Sequence, residues 1–295
     1  MQAKRARIAC VALAALALAS LFGLATGAQA KLTGEFTKFA NCEYKNTEVK
    51  KCIYSVTESG EVVLGKKKVP IEKQVILQGG YGKAVEGFSK FYGATNGVTL
   101  SKAPQNVPGG LLGIVPEAES PALVKALIKF FLENKLTGLN STLELAKPAS
   151  EIRVGENHLA GEFDTALEMP VKVHLENPFL GKNCYVGSST SPIVWKLTTG
   201  TTAPPAPNKA ISGSAGSLEV LEEGAVARLT GTKLVDNAWS APKATGCGGI
   251  LAFLVNPIVN TQLGTITAGN NTAILNNTIT IGSAFATKEN DETHP

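Results

Sequence analysis

The stretch GKNCYVGSST, from Gly181 to Thr190, brings together residue types that could do chemistry. A glycine-lysine pair beside hydroxyl groups could cradle a phosphate, and Cys184 could act as a thiol nucleophile. A phosphate-binding loop, however, needs glycine, four residues and then Gly-Lys-Ser/Thr, and here Lys182 is followed by Asn183. The spacing therefore favours a turn around Cys184.

Acid-base or metal chemistry would depend on the three histidines of the chain. His158 lies near Glu156, Glu162 and Asp164, while His174 falls on the polar face of a predicted strand. A serine hydrolase needs a histidine beside a hydroxyl and a carboxylate, and no G-x-S-x-G motif occurs. Histidines without strict ligand spacing are weak evidence for a metal. We therefore predict no catalytic residue, no metal and no cofactor.

The first thirty residues have the organisation of a signal peptide. A basic start, MQAKRAR, precedes the apolar core IACVALAALALASLFGL and the small-residue end ATGAQA. We predict cleavage after Ala30, so that the mature chain begins at Lys31. No second apolar stretch of the sequence is long enough to span a bilayer. The pattern predicts a secreted protein, extracellular or in the cell envelope.

Four cysteines remain after the signal peptide, which predicts two disulfides in an exported chain. Four cysteines allow three connectivities. The short segment between Cys42 and Cys52 can turn back as a hairpin, so we favour this pair, which leaves Cys184 with Cys247. A cysteine in such a bridge is not a nucleophile.

The charge balance argues against a nucleic-acid partner. The predicted signal peptide carries Lys4, Arg5 and Arg7 and no acid, so its removal lowers the net charge from +4 to +1. Only Arg153 and Arg228 then remain as arginines, and arginine is the side chain best suited to bidentate contacts with phosphates and bases.

Most of the chain shows the period-two alternation of strands with one buried face. The clearest case is ALEMPVKVHLE, and similar alternation occurs in IEKQVIL, STLEL, PIVWKL and TAILNNTITI. The inward positions are Leu167, Met169, Val171, Val173, Leu175, Ile71, Val75, Leu77, Leu143, Leu145, Ile193, Trp195 and Leu197. We predict a mainly β fold: an antiparallel β-sandwich or barrel-like sheets with one inserted amphipathic α-helix.

That inserted helix is predicted over residues 120–135, in SPALVKALIKFFLENKLTG, with Ser120 as its cap. Leu127 and Phe131 lie on its apolar stripe. The helix packs over the sheet or, alternatively, forms a lid on an apolar ligand. Leu127, Phe131 and the loop residue Trp239 are the candidate ligand-facing side chains.

The domain organisation follows from composition. We expect one β-rich domain over residues 31–282, with a disordered polar tail at 283–295. The Thr/Pro/Ser/Gly-rich segment 198–217 is either a long connection within that domain or a boundary between two β domains. NPIVNTQLG predicts a second short helix with Asn256 as cap and Pro257 at its first position.

The succession KKCIYSVTESGE, VPIEKQVILQGG, KVHLENPFLGKNCYVGSSTSPI and LVDNAWSAPKATGCGG resembles a group of predicted secreted proteins of high-GC Gram-positive bacteria. The resemblance covers most of the mature chain and implies export into a Gram-positive envelope or extracellular setting. It implies no activity and no site residue.

These patterns predict an exported, non-catalytic cell-envelope or extracellular protein with a binding or structural role. The alternative is a binder of an apolar ligand or lipid with helix 120–135 as its lid. A secreted hydrolase comes third. The expected partners are an apolar small molecule, a lipid or an envelope component.

Overall fold

The computed structural model describes residues 31–85, 87–110, 122, 125–126, 129, 138–161, 164–264 and 266–294. Within these residues fourteen strands form one hydrogen-bonded sheet. The strands are β1 (Lys51–Leu64), β2 (Lys67–Pro70), β3 (Val75–Val85), β4 (Phe88–Gly93), β5 (Gln105–Asn106), β6 (Asn140–Leu145), β7 (Arg153–Val154), β8 (Thr165–Glu176), β9 (Tyr185–Val186), β10 (Ile193–Thr198), β11 (Ser217–Leu221), β12 (Val226–Asp236), β13 (Ala244–Thr245) and β14 (Asn271–Ser283). The described α-helices are α1 (Glu156–Leu159), α2 (Ala252–Leu263) and α3 (Ala284–Thr293), and 3₁₀ helices span Gly34–Phe39, Ala149–Glu151, Glu222–Gly224 and Gly249–Leu251.

Eight of the strands close into an antiparallel barrel. Their order around the wall is β1, β3, β4, β7, β8, β10, β12 and β14, and β14 pairs with β1 again. The remaining strands extend this wall at its ends. The structure therefore confirms the mainly antiparallel β class and decides between the two architectures in favour of a barrel.

The seams of the barrel differ greatly in length. β1 pairs with β14 along its whole length, from Lys51 opposite Ser283 to Leu64 opposite Asn271. By contrast, β10 and β12 share a single pair, Thr198 opposite Val235. Because each ladder pair contributes backbone hydrogen bonds, the β1–β14 seam is the strongest part of the wall.

A bulge bends β1 in the middle of this seam. The register with β14 shifts between Thr57 and Ser59. Gly60 follows with φ of 135°, and a Cβ atom at this position would collide with the carbonyl oxygen of Ile274. The close approach therefore requires glycine at residue 60.

The inward faces of the strands form the main core, as the alternation predicts. Ile193, Trp195 and Leu197 of β10 are fully buried. On β8 the predicted inward residues Leu167, Met169, Val171 and Leu175 are buried and Val173 is half-buried. A fully buried side chain of this size stabilises the fold by about 1.5–3 kcal/mol.

The prediction of a disordered tail at residues 283–295 is wrong, because residues 284–293 form helix α3. Ser283 caps the helix by accepting a hydrogen bond from the Ala286 amide. Asn290 accepts a hydrogen bond from the Thr33 amide at 2.9 Å, and Asp291 forms an ion pair with Lys45. Tertiary contacts with the N-terminal segment thus order a helix whose composition is polar.

The second predicted helix is also corrected. Helix α2 begins at Ala252, so Asn256 and Pro257 lie inside it. The Asn256 side chain accepts a hydrogen bond from the Cys247 amide at 2.9 Å and does not cap the helix. The asparagine that indicated a helix start instead ties α2 to the loop that carries Cys247.

Both disulfides have the pairings that the sequence favoured, Cys42–Cys52 and Cys184–Cys247. The segment 198–217 connects strands of one sheet, since β10 on one side and β11 on the other both pair with β12. The predicted helix 120–135 falls almost wholly outside the described residues and stays a prediction.

Candidate functional site

The barrel contains a partly open cavity of about 100 Å³. Most of its wall is aliphatic, with side chains from β1, β2, β3, β6, β8, β12 and β14 and from helix α2. The described lining residues are Ser55, Thr57, Val62, Leu64, Lys67, Val69, Ile71, Val75, Leu77, Leu100, Ala103, Gln105, Val107, Ser141, Leu143, Leu167, Met169, Val173, Leu175, Trp195, Leu234, Leu263, Leu275 and Asn277. A concave, mostly apolar space is the usual form of a small-molecule site.

Alternation along the strands produces this wall. On β3, Val75 and Leu77 face the cavity, and on β8, Val173 and Leu175 do so. Because successive side chains of a strand point to opposite faces, every second residue of these strands contributes to one continuous apolar surface.

Two of the polar residues in the wall bind each other. The Thr57 hydroxyl donates to Oδ1 of Asn277 at 2.7 Å, and Nδ2 of Asn277 donates to the Leu275 carbonyl at 2.9 Å. Thr57 and Asn277 are buried in the middle of the β1–β14 seam. Their mutual hydrogen bonds leave these groups satisfied without a ligand.

Gln105 is satisfied in the same way. Its Oε1 accepts hydrogen bonds from the amides of Glu72 and Lys73 at 2.8 and 2.9 Å. Its Nε2 donates to the carbonyls of Lys73 and Ala103. Gln105 therefore fixes the loop between β2 and β3 as part of the wall.

Lys67 is the one charged residue among the described lining residues. It follows the tight turn between β1 and β2 and lies opposite Leu64, which also lines the cavity. Its side chain is half-buried, and burial, assisted by the charge of Lys66, lowers its pKa. The neighbouring Lys68 pairs with Glu61, and Lys67 forms no ion pair with a described acidic residue.

Asn271 holds this lysine hairpin in place. Its Oδ1 accepts a hydrogen bond from the Gly65 amide at 2.9 Å. Its Nδ2 lies 2.9 Å from the Trp239 carbonyl oxygen, 3.0 Å from that of Ile266 and 3.2 Å from that of Thr267. One fully buried side chain therefore joins the hairpin to two loops.

Trp195 contributes the largest flat surface of the wall. It is fully buried, and its ring meets that of Trp239 edge to face, with centroids 6.0 Å apart. The indole N–H of Trp195 has no hydrogen-bond partner in the described part of the chain, whereas that of Trp239 donates to the Asp236 carbonyl. Since the sequence contains only two tryptophans, indole fluorescence reports on this wall.

Of the three predicted ligand-facing residues, the structure describes Trp239 and does not describe Leu127 and Phe131. Trp239 is 4% exposed and packs behind Trp195; it is not among the residues that line the cavity. Leu127 and Phe131 lie outside the described residues. The sequence patterns predicted no inward residue in the β1–β2 hairpin, although Lys67 and Val69 alternate there and both line the cavity.

The stretch GKNCYVGSST forms turns before and after the short strand β9, in agreement with the turn that its spacing favours. Cys184 is buried in its disulfide. The hydroxyls of Ser188 and Thr190 lie 3.1 Å apart, and the Ser188 hydroxyl accepts a hydrogen bond from the Ser191 amide. The hydroxyl groups thus stabilise the turn itself.

His174 lies on the outer face of β8, within a charged cluster. Its Nδ1 is 3.7 Å from Glu176 and 4.0 Å from Glu144, and its ring stacks on Tyr185 with centroids 4.3 Å apart. Its Nε2 lies 3.0 Å from the Lys182 carbonyl oxygen, so this nitrogen faces a backbone group and not a hydroxyl. His174 is largely covered, where alternation alone predicts a solvated surface residue.

Glu144 is the centre of that cluster. Its carboxylate lies 3.2 Å from Lys102 and 3.3 Å from Lys172. Burial opposes its ionisation, but hydrogen bonds and charges from the two lysines outweigh this effect and lower its pKa. The cluster therefore has the character of a structural ion-pair network.

The other predicted acid-histidine grouping is dispersed. Glu156 pairs with Lys51, and Asp164 accepts a hydrogen bond from the next amide, that of Thr165. Glu162 lies outside the described residues. Among the residues described, no three His, Cys, Asp or Glu side chains form a group that could hold a metal ion.

Fold and site together define an antiparallel β-barrel with an apolar internal cavity. Comparison with protein-family models, with curated proteins and with solved structures gives no match. In the described ranges, no helix is both long and apolar enough to cross a lipid bilayer.

Proposed function

We propose that this chain is an exported, non-catalytic binding protein of the cell envelope or extracellular space, and that its barrel holds an apolar ligand. The observation that carries the proposal is the cavity, because its wall is built from most of the barrel strands and is predominantly aliphatic. Native cores are close-packed with few voids, so an apolar space of this size inside a barrel supports occupancy by a ligand.

The volume restricts the ligand to a slender one. A cavity of about 150 Å³ lined by aliphatic residues binds benzene in another protein. The present cavity, at about 100 Å³, is smaller. An unbranched alkyl chain has a narrower cross-section than a ring, and because the cavity is partly open, a chain can lie in it while its end reaches the opening; lipids with saturated chains are therefore the favoured class.

The test is quenching of indole fluorescence by 8-bromooctanol, because bromine in the cavity would lie beside Trp195. Unlabelled straight-chain alcohols from butanol to dodecanol should compete. Each added CH₂ contributes about 0.8 kcal/mol, or about fourfold in affinity, until the cavity is full. The chain length at which affinity stops rising then measures the cavity.

Ser55→Leu and Ser59→Leu provide a matched pair of variants on β1. Ser55 lines the cavity, whereas Ser59 is exposed on the outer surface. The larger leucine side chain of Ser55→Leu should fill part of the cavity and weaken octanol binding at least tenfold, and the same exchange at Ser59 should leave binding unchanged. Equal binding by both variants, or no quenching of the wild type, would contradict the proposal.

A further inference from the structure

The cavity wall contains one feature that an apolar ligand alone does not explain, the side chain of Lys67. All the other described lining residues are uncharged. The inward face of the β1–β2 hairpin consists of Val62, Leu64, Lys67 and Val69, so a lysine occupies a position where its neighbours are aliphatic.

The neighbours of Lys67 do not neutralise its charge. Lys68 points away and pairs with Glu61. Lys66 packs its methylene groups against Gly264 and, being cationic, adds repulsion. A partly buried ammonium that has no acidic partner among the described residues is unfavourable, because burial removes hydration that none of these residues replaces.

Position and charge together indicate what would bind here. A ligand with an anionic group at one end of an alkyl chain would place that group at Lys67 and the chain among the aliphatic residues. The hairpin is held in place by two hydrogen bonds: the Lys66 amide donates to the Leu263 carbonyl at 2.9 Å, and the Gly65 amide donates to Asn271.

We propose that the ligand is an amphiphile with a single anionic head group, and that Lys67 binds this group. The inference rests on the proposed function, because it names the class of ligand for the same cavity. Carboxylate and phosphate head groups share the required chemistry. A hydrogen bond to a charged group strengthens binding by about tenfold to a hundredfold over its absence.

The experiment compares octanoate, octyl phosphate, octanol and octylamine at pH 7, each displacing 8-bromooctanol from the wild-type protein. Octanoate or octyl phosphate should bind at least tenfold more tightly than octanol, and octylamine more weakly than octanol. The stronger of the two anions identifies the head group. Equal affinity for octanol and both anions would overturn the assignment of Lys67, while leaving the apolar cavity as a binding site.

Lys67→Met and Lys66→Met form the matched pair of variants, since both lysines belong to one hairpin and only Lys67 lines the cavity. Lys67→Met should bind octanol at least as well as the wild type and should lose the preference for the anion. Lys66→Met should keep that preference. An unchanged preference in Lys67→Met, or its loss in Lys66→Met alone, would refute the role of Lys67.

The experiment distinguishes failure of the proposed apolar binding site from failure of the proposed role of Lys67. If no octyl compound quenches or competes in the wild type, the cavity is not a ligand site and both proposals fall. If octanol binds and the head group makes no difference, only the assignment of Lys67 falls. Urea unfolding of each variant shows that a loss of preference is not a loss of the fold.

Discussion

Replacing Asn271 with alanine should destabilise the barrel by about 3–4 kcal/mol. Asn271 is fully buried at the start of β14, where its side chain joins the lysine hairpin to the loops after Trp239 and Ile266. The substitution removes the partner of one part-buried amide, that of Gly65, and of two buried carbonyl groups, those of Trp239 and Ile266, while their neighbours stay in place.

The magnitude follows from these three hydrogen bonds, each 2.9–3.0 Å long. A typical hydrogen bond contributes about 1 kcal/mol, and a buried group left without a partner costs about 1–3 kcal/mol. The 3.2 Å contact of the same side chain with the Thr267 carbonyl shares a donor with the others and adds little. A total of about 3–4 kcal/mol results.

Urea unfolding followed by circular dichroism measures this loss, and Asn270→Ala is the control. The Asn270 side chain makes one long hydrogen bond, 3.3 Å, to the Thr267 hydroxyl. We expect Asn270→Ala to cost less than about 1 kcal/mol. If both variants unfold within about 1 kcal/mol of the wild type, the reasoning that Asn271 holds the loops at the cavity is refuted.

Three further predictions concern the outer wall and the disulfide. Because the pKa of Glu144 is lowered, its contribution to stability is complete above about pH 4.5 and is lost as the pH falls through the lowered pKa. Glu144→Gln should therefore weaken the dependence of the unfolding free energy on pH in this range. Urea unfolding at a series of pH values from 7 to 3 measures this dependence. Replacing Cys184 and Cys247 with alanine should cost about 4 kcal/mol, since the disulfide spans 63 residues; a loss below about 1 kcal/mol in denaturant melts would contradict this. His174→Ala should cost about 1 kcal/mol through its lost stacking on Tyr185, and thermal unfolding with an unchanged midpoint would show that the stack contributes nothing.

The sequence predicts the long strands well, because the alternation of inward and outward side chains is a pattern between neighbouring residues. The alternation around Trp195 and Met169 reflects one buried and one outer face, and the structure buries both residues. Strand β7 has only two residues, Arg153 and Val154, and no period can be read from two positions. Without β7, the sequence cannot distinguish a closed barrel from two packed sheets.

Helix ends and the cavity depend on contacts that are distant in the sequence. Asn256 has the preferred chemistry of a helix cap, but its side chain meets the backbone of Cys247. Helix α3 forms because Asp291 and Asn290 find partners in the N-terminal segment, more than 240 residues away along the chain. The cavity itself exists only when β10 pairs with both β8 and β12 and so closes the barrel. This pairing cannot be predicted from the amino-acid composition.

The pairing of β1 with β14 determines when the barrel can close, because the chain is synthesised from its N-terminus. The first strand to leave the ribosome is also the one whose partner arrives last, since Lys51 lies opposite Ser283. Until β14 (Asn271–Ser283) has been synthesised, β1 and β12 both present unpaired edges, and such edges associate with other chains. A chain of this protein therefore needs its edges shielded until β14 has joined the wall. A chain stopped before β14 should aggregate, whereas a chain stopped after Ser283 can close its wall.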